Sequence, residues 1–361
     1  MIALEPILLR PSASGADTPY ITLVRVSDGE AVAHGEACLA DPDVFATAVD
    51  FLADAVAHTD PADFGLTWQR LMALLDEYTP DPLGDYLAVL GAVDVALWDL
   101  AGRKLGVPCH RLAGGRRAPR LDCTAGGLRV GQDDLPKAAE ALCKQFGAIE
   151  FTLSRDPAQD VPAIHRVRRA VGELAPLMAD AGPGYADLAA ARKVGEALAQ
   201  VEAFWYENPL PHGSWEGYAE LRRELGTGLA GGRFVTTLAE AERLLQAEAV
   251  DLFVADVRRC GGLSAAQRLA DMARRHGVRM TFHCGASPLA QAAAAHLAAA
   301  HWHVGPLQIV PPPPSVSRLF PAAPHFEGGF LCVPEEPGLG CRLDEPAARQ
   351  VQVEPPDEHA T

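Results

Sequence analysis

Two hydrophobic periodicities divide the chain. Tyr20 to Val26 is a β-rich run, Ser27-Asp28-Gly29 reads as a turn, and Ala31 to Ala37 follows as a second strand. Helical spacing then takes over through about Gly102, with Trp68, Leu71, Leu74 and Leu75 on one face. Residues 1–115 therefore predict an α+β unit. After Gly114-Gly115, short apolar runs alternate with amphipathic stretches. Candidate strands lie near Leu121–Thr124, Ala148–Leu153, Leu177–Asp180, Ala203–Glu207, Gly228–Gly231, Leu252–Asp256, Met280–His283 and Leu307–Val310. Helical stretches such as Leu135–Phe146, Val161–Leu174, Leu188–Leu198, Leu238–Leu245 and Ala265–His276 separate them. The strands recur every 24 to 29 residues. That pitch predicts an α/β fold, a parallel barrel over residues 116–320 with its site at the C-terminal strand ends. A doubly wound sheet shares the alternation but usually carries a Gly-rich phosphate loop after its first strand, and none occurs here. Pro311 to Pro314 makes a rigid extended exit, and 321–361 returns to Gly- and Pro-rich loops and short strands.

Charge narrows the partners. The formal net charge is −16, and no basic run of five or more residues offsets it. Nucleic acid and anionic membranes are therefore not expected partners. No run of about eighteen apolar residues suggests a membrane span, and Glu5 and Arg10 interrupt the apolar N-terminus where a signal peptide would be continuous. The eight cysteines form no CxxC pair, which reads as reduced thiols in a cytoplasm. An acidic protein that takes an acidic ligand needs a local positive centre, either a metal or a few inward cations.

The strand ends supply candidate chemistry. Asp180, Glu207, Asp256 and His283 each close an apolar run in the third, fourth, sixth and seventh strands. One such acid can simply cap the next helix; four in register point to a site. Carboxylates on adjacent strand ends can hold Mg²⁺ through oxygen. His283 suits proton transfer near neutrality, and Asp256 on the neighbouring strand can orient its ring.

At these residues the sequence resembles a known family. GAVDVALWDLAGRKLGVPCHRLAGG, FWYENPL, VDLFVADVRRCGGLSAAQRLADMARRHGV, FHCGASPLAQAAAAHLAAA and GGFLCVPEEPGLG occur in order over almost the whole chain. Together they resemble the enolase superfamily, in its mandelate racemase/muconate lactonizing enzyme branch. The resemblance implies a modified TIM barrel, (β/α)7β-like, under an α+β capping domain built from both chain ends: 1–115, with 321–361 returning to it. It implies a Mg²⁺ site and proton abstraction α to a carboxylate, on a small-molecule carboxylate substrate, in a homo-oligomer. Carried over, Asp180 and Glu207 match two metal ligands, and His283 with Asp256 matches the acid/base dyad.

Several positions depart from the family pattern. Aligned on LAGGRF, the third ligand falls on Gly232, and Arg233 beside it is expected in a surface loop ahead of the alternative, a positive charge lent near the vacated ligand position. The strand-two lysines are Glu150 and Thr152, and the assisting acid of strand eight is Gln308. Weak Mg²⁺ binding is therefore expected, strengthened by Gly232→Glu. A one-base dehydratase of a hydroxy acid or acid sugar is expected ahead of a racemase, with Asp256→Asn lowering turnover without unfolding the protein. The alternative is a non-catalytic relative, a binding or structural protein. Specificity is expected at Ser12–Thr18 and around Asp41–Phe45.

Overall fold

The computed structural model describes residues 1–11, 20–39 and 41–353; the Ser12–Thr18 segment lies outside them. The expected hairpin is part of a three-stranded antiparallel sheet, β1 (Ala3–Leu9), β2 (Ile21–Ser27) and β3 (Val32–Ala37). Helices α1 (Phe45–Val56) and α3 (Leu83–Leu105) pack on it, and α2 (Phe64–Tyr78) packs on those two helices. From Asp85 to Gly102, α3 is buried on every side, because β3 lies along it and the barrel lies beyond. Gly35 makes the first contact possible: a Cβ there would run into the Ala92 carbonyl.

A short helix α4 (Cys109–Leu112) and strand β4 (Arg120–Leu121) lead into the barrel. Its strands are β5 (Cys123–Arg129), β6 (Ile149–Thr152), β7 (Leu177–Asp180), β8 (Trp205–Glu207), β9 (Gly228–Gly231), β10 (Leu252–Ala255), β11 (Arg279–Gly285) and β12 (Leu307–Ile309). They close as a parallel barrel, β12 pairing with β5. Between them run α5 (Leu135–Phe146), α6 (Pro157–Val171), α7 (Leu188–Gln200), α8 (Trp215–Glu224), α9 (Leu238–Gln246), α10 (Gly262–Arg275) and α11 (Pro288–Ala300). Eight strands with seven intervening helices are the (β/α)7β arrangement.

The chain then passes through α12 (Pro314–Ser317), β13 (Phe326–Glu327), β14 (Phe330–Cys332) and α13 (Glu345–Arg349). β14 pairs with β4, Leu9 bridges Gln352, and Arg25 reaches Glu345 at 3.0 Å, so the C-terminal segment contacts the N-terminal sheet.

Alternation along the strands sorts side chains into two cores. Tyr206 of β8 faces the helices, in the main core, while Trp205 joins Met178, Ala230, Leu252 and Val254 in a separate apolar plug inside the barrel. This plug lies beneath Glu207 and Asp180, so that the barrel interior above it forms a cup at the C-terminal strand ends.

Cap and barrel are joined by a buried carboxylate. Asp94 of α3 accepts hydrogen bonds from the Ser264 amide at 2.8 Å and hydroxyl at 2.6 Å, and the Trp98 indole donates to the same hydroxyl at 2.9 Å. Burial pushes the Asp94 carboxyl up to about 7. Asp94→Ala leaves two buried donors without acceptors and is expected to lower unfolding free energy by about 2–3 kcal/mol, read from a denaturant titration. An unchanged midpoint would mean that water replaces the carboxylate.

Candidate active site

Asp180 and Glu207 stand side by side in register, with Thr152 opposite Asp180 on the other side. None of the strand-end acids caps the helix that follows. Asp187 caps α7, whereas the N-cap positions of α8 and α10, Ser214 and Gly261, make no side-chain cap bond. That removes helix capping as the explanation for Asp180, Glu207 and Asp256.

Their oxygens are already engaged. Asp180 Oδ1 accepts from the Gly182 amide at 2.8 Å and from Asn208 Nδ2 at 3.1 Å. Asp180 Oδ2 accepts from Arg233 Nη1 at 2.9 Å, and the same nitrogen lies 3.9 Å from Glu207 Oε1. Asn208 also donates to Glu207 Oε1 at 3.2 Å, and Gln308 Nε2 donates to Glu207 Oε2. Below them, Glu150 Oε1 accepts from the Trp205 indole and from Gln308 Nε2, both at 3.3 Å. Thr152 shares the face of Glu150 by alternation and is exposed.

Charge follows from this packing. Burial, reinforced by Glu207 and Asp180, holds the Glu150 carboxyl far above its ordinary range. Burial and then Asp180 push Glu207 up to about 7. Against the cost of burial, Asp180 and Glu207 keep the Arg233 guanidinium firmly charged.

Two expectations about β9 are corrected here. Arg233 is not in a surface loop: its side chain is 15% exposed and turned onto the acids. The residue that reaches the other two ligand positions from this strand end is Arg233, one place after Gly232. Gly232 has φ +112°, and a Cβ there would face the Phe253 ring and the Val254 carbonyl instead of the mouth.

The expected dyad is also rearranged. Asp256 Oδ1 accepts from the amide and Nε of Arg258, both at 3.0 Å, and Asp256 Oδ2 accepts from Arg258 Nη2 at 2.7 Å. Arg258 Nη1 continues to Glu36 of β3 at 3.0 Å, and Ser287 donates to the other Glu36 oxygen at 2.5 Å. His283 Nδ1 is buried with no hydrogen-bond partner. Burial, then Arg233, lowers the imidazole to about 4, although Asp256 opposes the shift, so the ring is neutral at pH 7. Asp256→Asn should therefore loosen Arg258 and cost stability, contrary to the expectation of an intact protein. Arg258→Met removes a cation and frees Asp256 for the Nδ1–H. The His283 pKa is expected to rise by about a unit or more, followed by NMR titration of the imidazole. A pKa that stays put would show that Asp256 cannot reach the ring.

These donors do not fit a divalent cation. Mg²⁺ needs oxygens at about 2.0–2.1 Å, and the gap between Asp180 Oδ2 and Glu207 Oε1 is held by the Arg233 nitrogen. Among the described residues no group of three or more His, Cys, Asp or Glu is arranged to hold a metal.

Over the His283 side of the mouth lies a cleft of about 530 Å³, between β2–β3 and the ends of β10 and β11. Its described wall is mostly apolar, from Ile21, Leu39 and Val316, with the Glu36–Arg258 pair and Ser287 as its polar part. Sequence reasoning singled out neither Arg258 nor Glu36. Among the described residues no helix is long and apolar enough to cross a membrane, and all eight cysteines are free.

Residues 134–347 match the family described as enolase C-terminal domain-like. The chain belongs to the enolase superfamily. It is 27% identical to a D-galactonate dehydratase family member, RspA, of Cellvibrio japonicus, over 92% of this chain and 91% of the relative. It is 29% identical to the L-talarate/galactarate dehydratase of Salmonella typhimurium, over 84% and 74%. The 3,6-anhydro-D-galactonate cycloisomerase structure from Zobellia galactanivorans superposes with a TM-score of 0.90 at 24% identity, covering 98% of this chain and 99% of that one. This superfamily member thus keeps the barrel and cap of its relatives, with an arginine reaching Asp180 and Glu207.

Proposed function

We propose that the protein is a lyase, a one-base dehydratase of a small hydroxy acid or acid sugar, with His283 as its proton carrier. The observation that carries this reading is the placement of the His283 imidazole at the end of β11. Its Nδ1 is sealed in the wall, and its Nε2 has no protein partner and is not buried. The dehydratase names of the two curated relatives supply the reaction class.

The chemistry runs as follows. The bond from the α-carbon to hydrogen breaks and the proton passes to His283. The electron pair delocalises into the substrate carboxylate as an enolate, and the β-hydroxyl then leaves, taking the proton back as water. Where the α-carbon also carries a hydroxyl, the product is an enol, which becomes a 2-oxo acid. The developing negative charge requires cations close by, and Arg233 and Arg258 stand on the two sides of the mouth. A two-base racemase is disfavoured, because β6 offers only Thr152 and a Glu150 held protonated. The apolar cleft wall favours a compact acid over a long polyhydroxylated one.

A second reading is a non-catalytic binding protein. The observation favouring it is that Arg258 engages Asp256, leaving nothing to fix the His283 tautomer. The deciding experiment is a screen of acid sugars and short hydroxy acids for loss of water, beside solvent deuterium exchange at the α-carbon. Water loss or exchange that depends on His283 supports the dehydratase. Saturable binding with no exchange by any acid would leave the binding protein.

A further inference from the structure

The side chain that neutralises Asp180 and Glu207 belongs to the protein itself. We propose that Arg233 is the resident cation of this site, so that the protein binds a small carboxylate with a guanidinium and without a divalent metal. The proposal rests on the carboxylate substrate of the preceding section, but its metal limb stands without any turnover.

Three observations place the guanidinium there. Its Nη1 lies between Asp180 Oδ2 and Glu207 Oε1, at 2.9 and 3.9 Å. A bridging ion would have to sit on that nitrogen, and moving the arginine aside would still leave a positive charge beside the metal. The remaining oxygens of both acids already accept from Gly182, Asn208 and Gln308. Finally, the backbone aims the side chain. The positive φ of Gly232 turns the chain at the end of β9, and the guanidinium rests over the Phe234 ring at 4.8 Å.

The rest of the group is available for a ligand. Arg233 Nε and Nη2 have no hydrogen-bond partner among the described residues, and they are not sealed from solvent. Two N–H-bearing nitrogens on one edge of a planar guanidinium match the two oxygens of a carboxylate. The ligand class is therefore a monocarboxylate or another small planar oxyanion, held on the Nε–Nη2 edge while Nη1 stays on Asp180. A guanidinium lacks the Lewis acidity of Mg²⁺ and acts through N–H donors and a permanent charge, which suits a mouth that has a cation where the family pattern places a carboxylate ligand.

The test is calorimetry and thermal unfolding of the full chain after chelator dialysis, titrated with Mg²⁺ and separately with glycolate. The wild type is expected to show no saturable Mg²⁺ binding into the millimolar range and a saturable stabilisation by glycolate that Mg²⁺ does not alter. Arg233→Glu gives the mouth a third carboxylate, and its Mg²⁺ affinity should exceed that of the wild type by at least about tenfold. Arg233→Gln should lose the glycolate effect without gaining the metal. Stoichiometric Mg²⁺ binding by the wild type would overturn the proposal, as would glycolate binding that survives Arg233→Gln. Because Arg233→Glu buries a further acid and can fail to fold, the wild-type titration and Arg233→Gln decide the matter alone. Absence of turnover with every acid would remove the dehydratase reading and leave the metal result standing.

Discussion

Replacing His283 with alanine is expected to reduce substrate-dependent deuterium exchange and water loss by about a thousandfold or more, while the melting temperature changes little. The size follows from the absence of a substitute. Asp256 is taken up by Arg258, Glu150 lies in the cup floor bonded to Trp205 and Gln308, and the Asp180 carboxylate opposite Thr152 is held by Arg233. The fold is expected to tolerate the change because His283 makes no hydrogen bond through Nδ1, so no partner is orphaned. With the imidazole lowered to about 4 by burial and by Arg233, its basic form is present throughout the neutral range. Proton abstraction should therefore stay level as pH falls from 8 to about 5 and decline only towards 4, where an unperturbed histidine would already fail near 6.5. The measurement is the exchange rate against pH for the wild type and for His283→Ala. Exchange that persists in the variant would show that another group takes the proton.

The barrel was legible because its physics is local and repetitive. Each strand must bury both faces, so it reads as an apolar run, and the helix between two strands fixes the pitch. Strands such as Leu177–Asp180 and Gly228–Gly231 fall where the pattern puts them. β1 escaped notice because Glu5 and Pro6 interrupt its apolar run; they are tolerated on a strand at the edge of the three-stranded sheet.

The strand-end acids were legible for the same reason as the strands, but their partners were not. Arg233 and Arg258 follow strands β9 and β10 in loops, where periodicity carries no information about direction. An arginine after a strand is ordinarily solvated; Arg233 turns inward onto Asp180, 53 residues away along the chain, and Arg258 lies between its near neighbour Asp256 and the distant Glu36. Only the assembled barrel and cap bring those groups together. The one-residue displacement between Gly232 and Arg233 has the same origin. Two consecutive glycines leave the alignment free to slip, and only backbone geometry shows which neighbour faces the mouth.

That geometry reverses the expectation for Gly232→Glu. The variant should not bind Mg²⁺ more tightly; it should lose about 3–5 kcal/mol of stability, the combined scale of a strained backbone and an overpacked core. At φ +112° an L side chain is disfavoured before any contact is considered. A Cβ built there would lie 2.9 Å from the Val254 carbonyl oxygen and 2.5 Å from Phe253 Cδ2, both fully buried in the next strand. Neither atom can yield cheaply, because β9 and β10 are hydrogen-bonded at Phe253 and Gly231. The added carboxylate would start from the barrel wall, with Arg233 still on Asp180. Denaturant titration of Gly232→Ala and Gly232→Glu separates the contributions: alanine carries the φ and Cβ penalties alone, so most of the loss should already appear there. A Gly232→Glu protein as stable as the wild type and binding Mg²⁺ stoichiometrically would mean that the end of β9 turns the other way, with residue 232 facing the acids and Arg233 facing solvent.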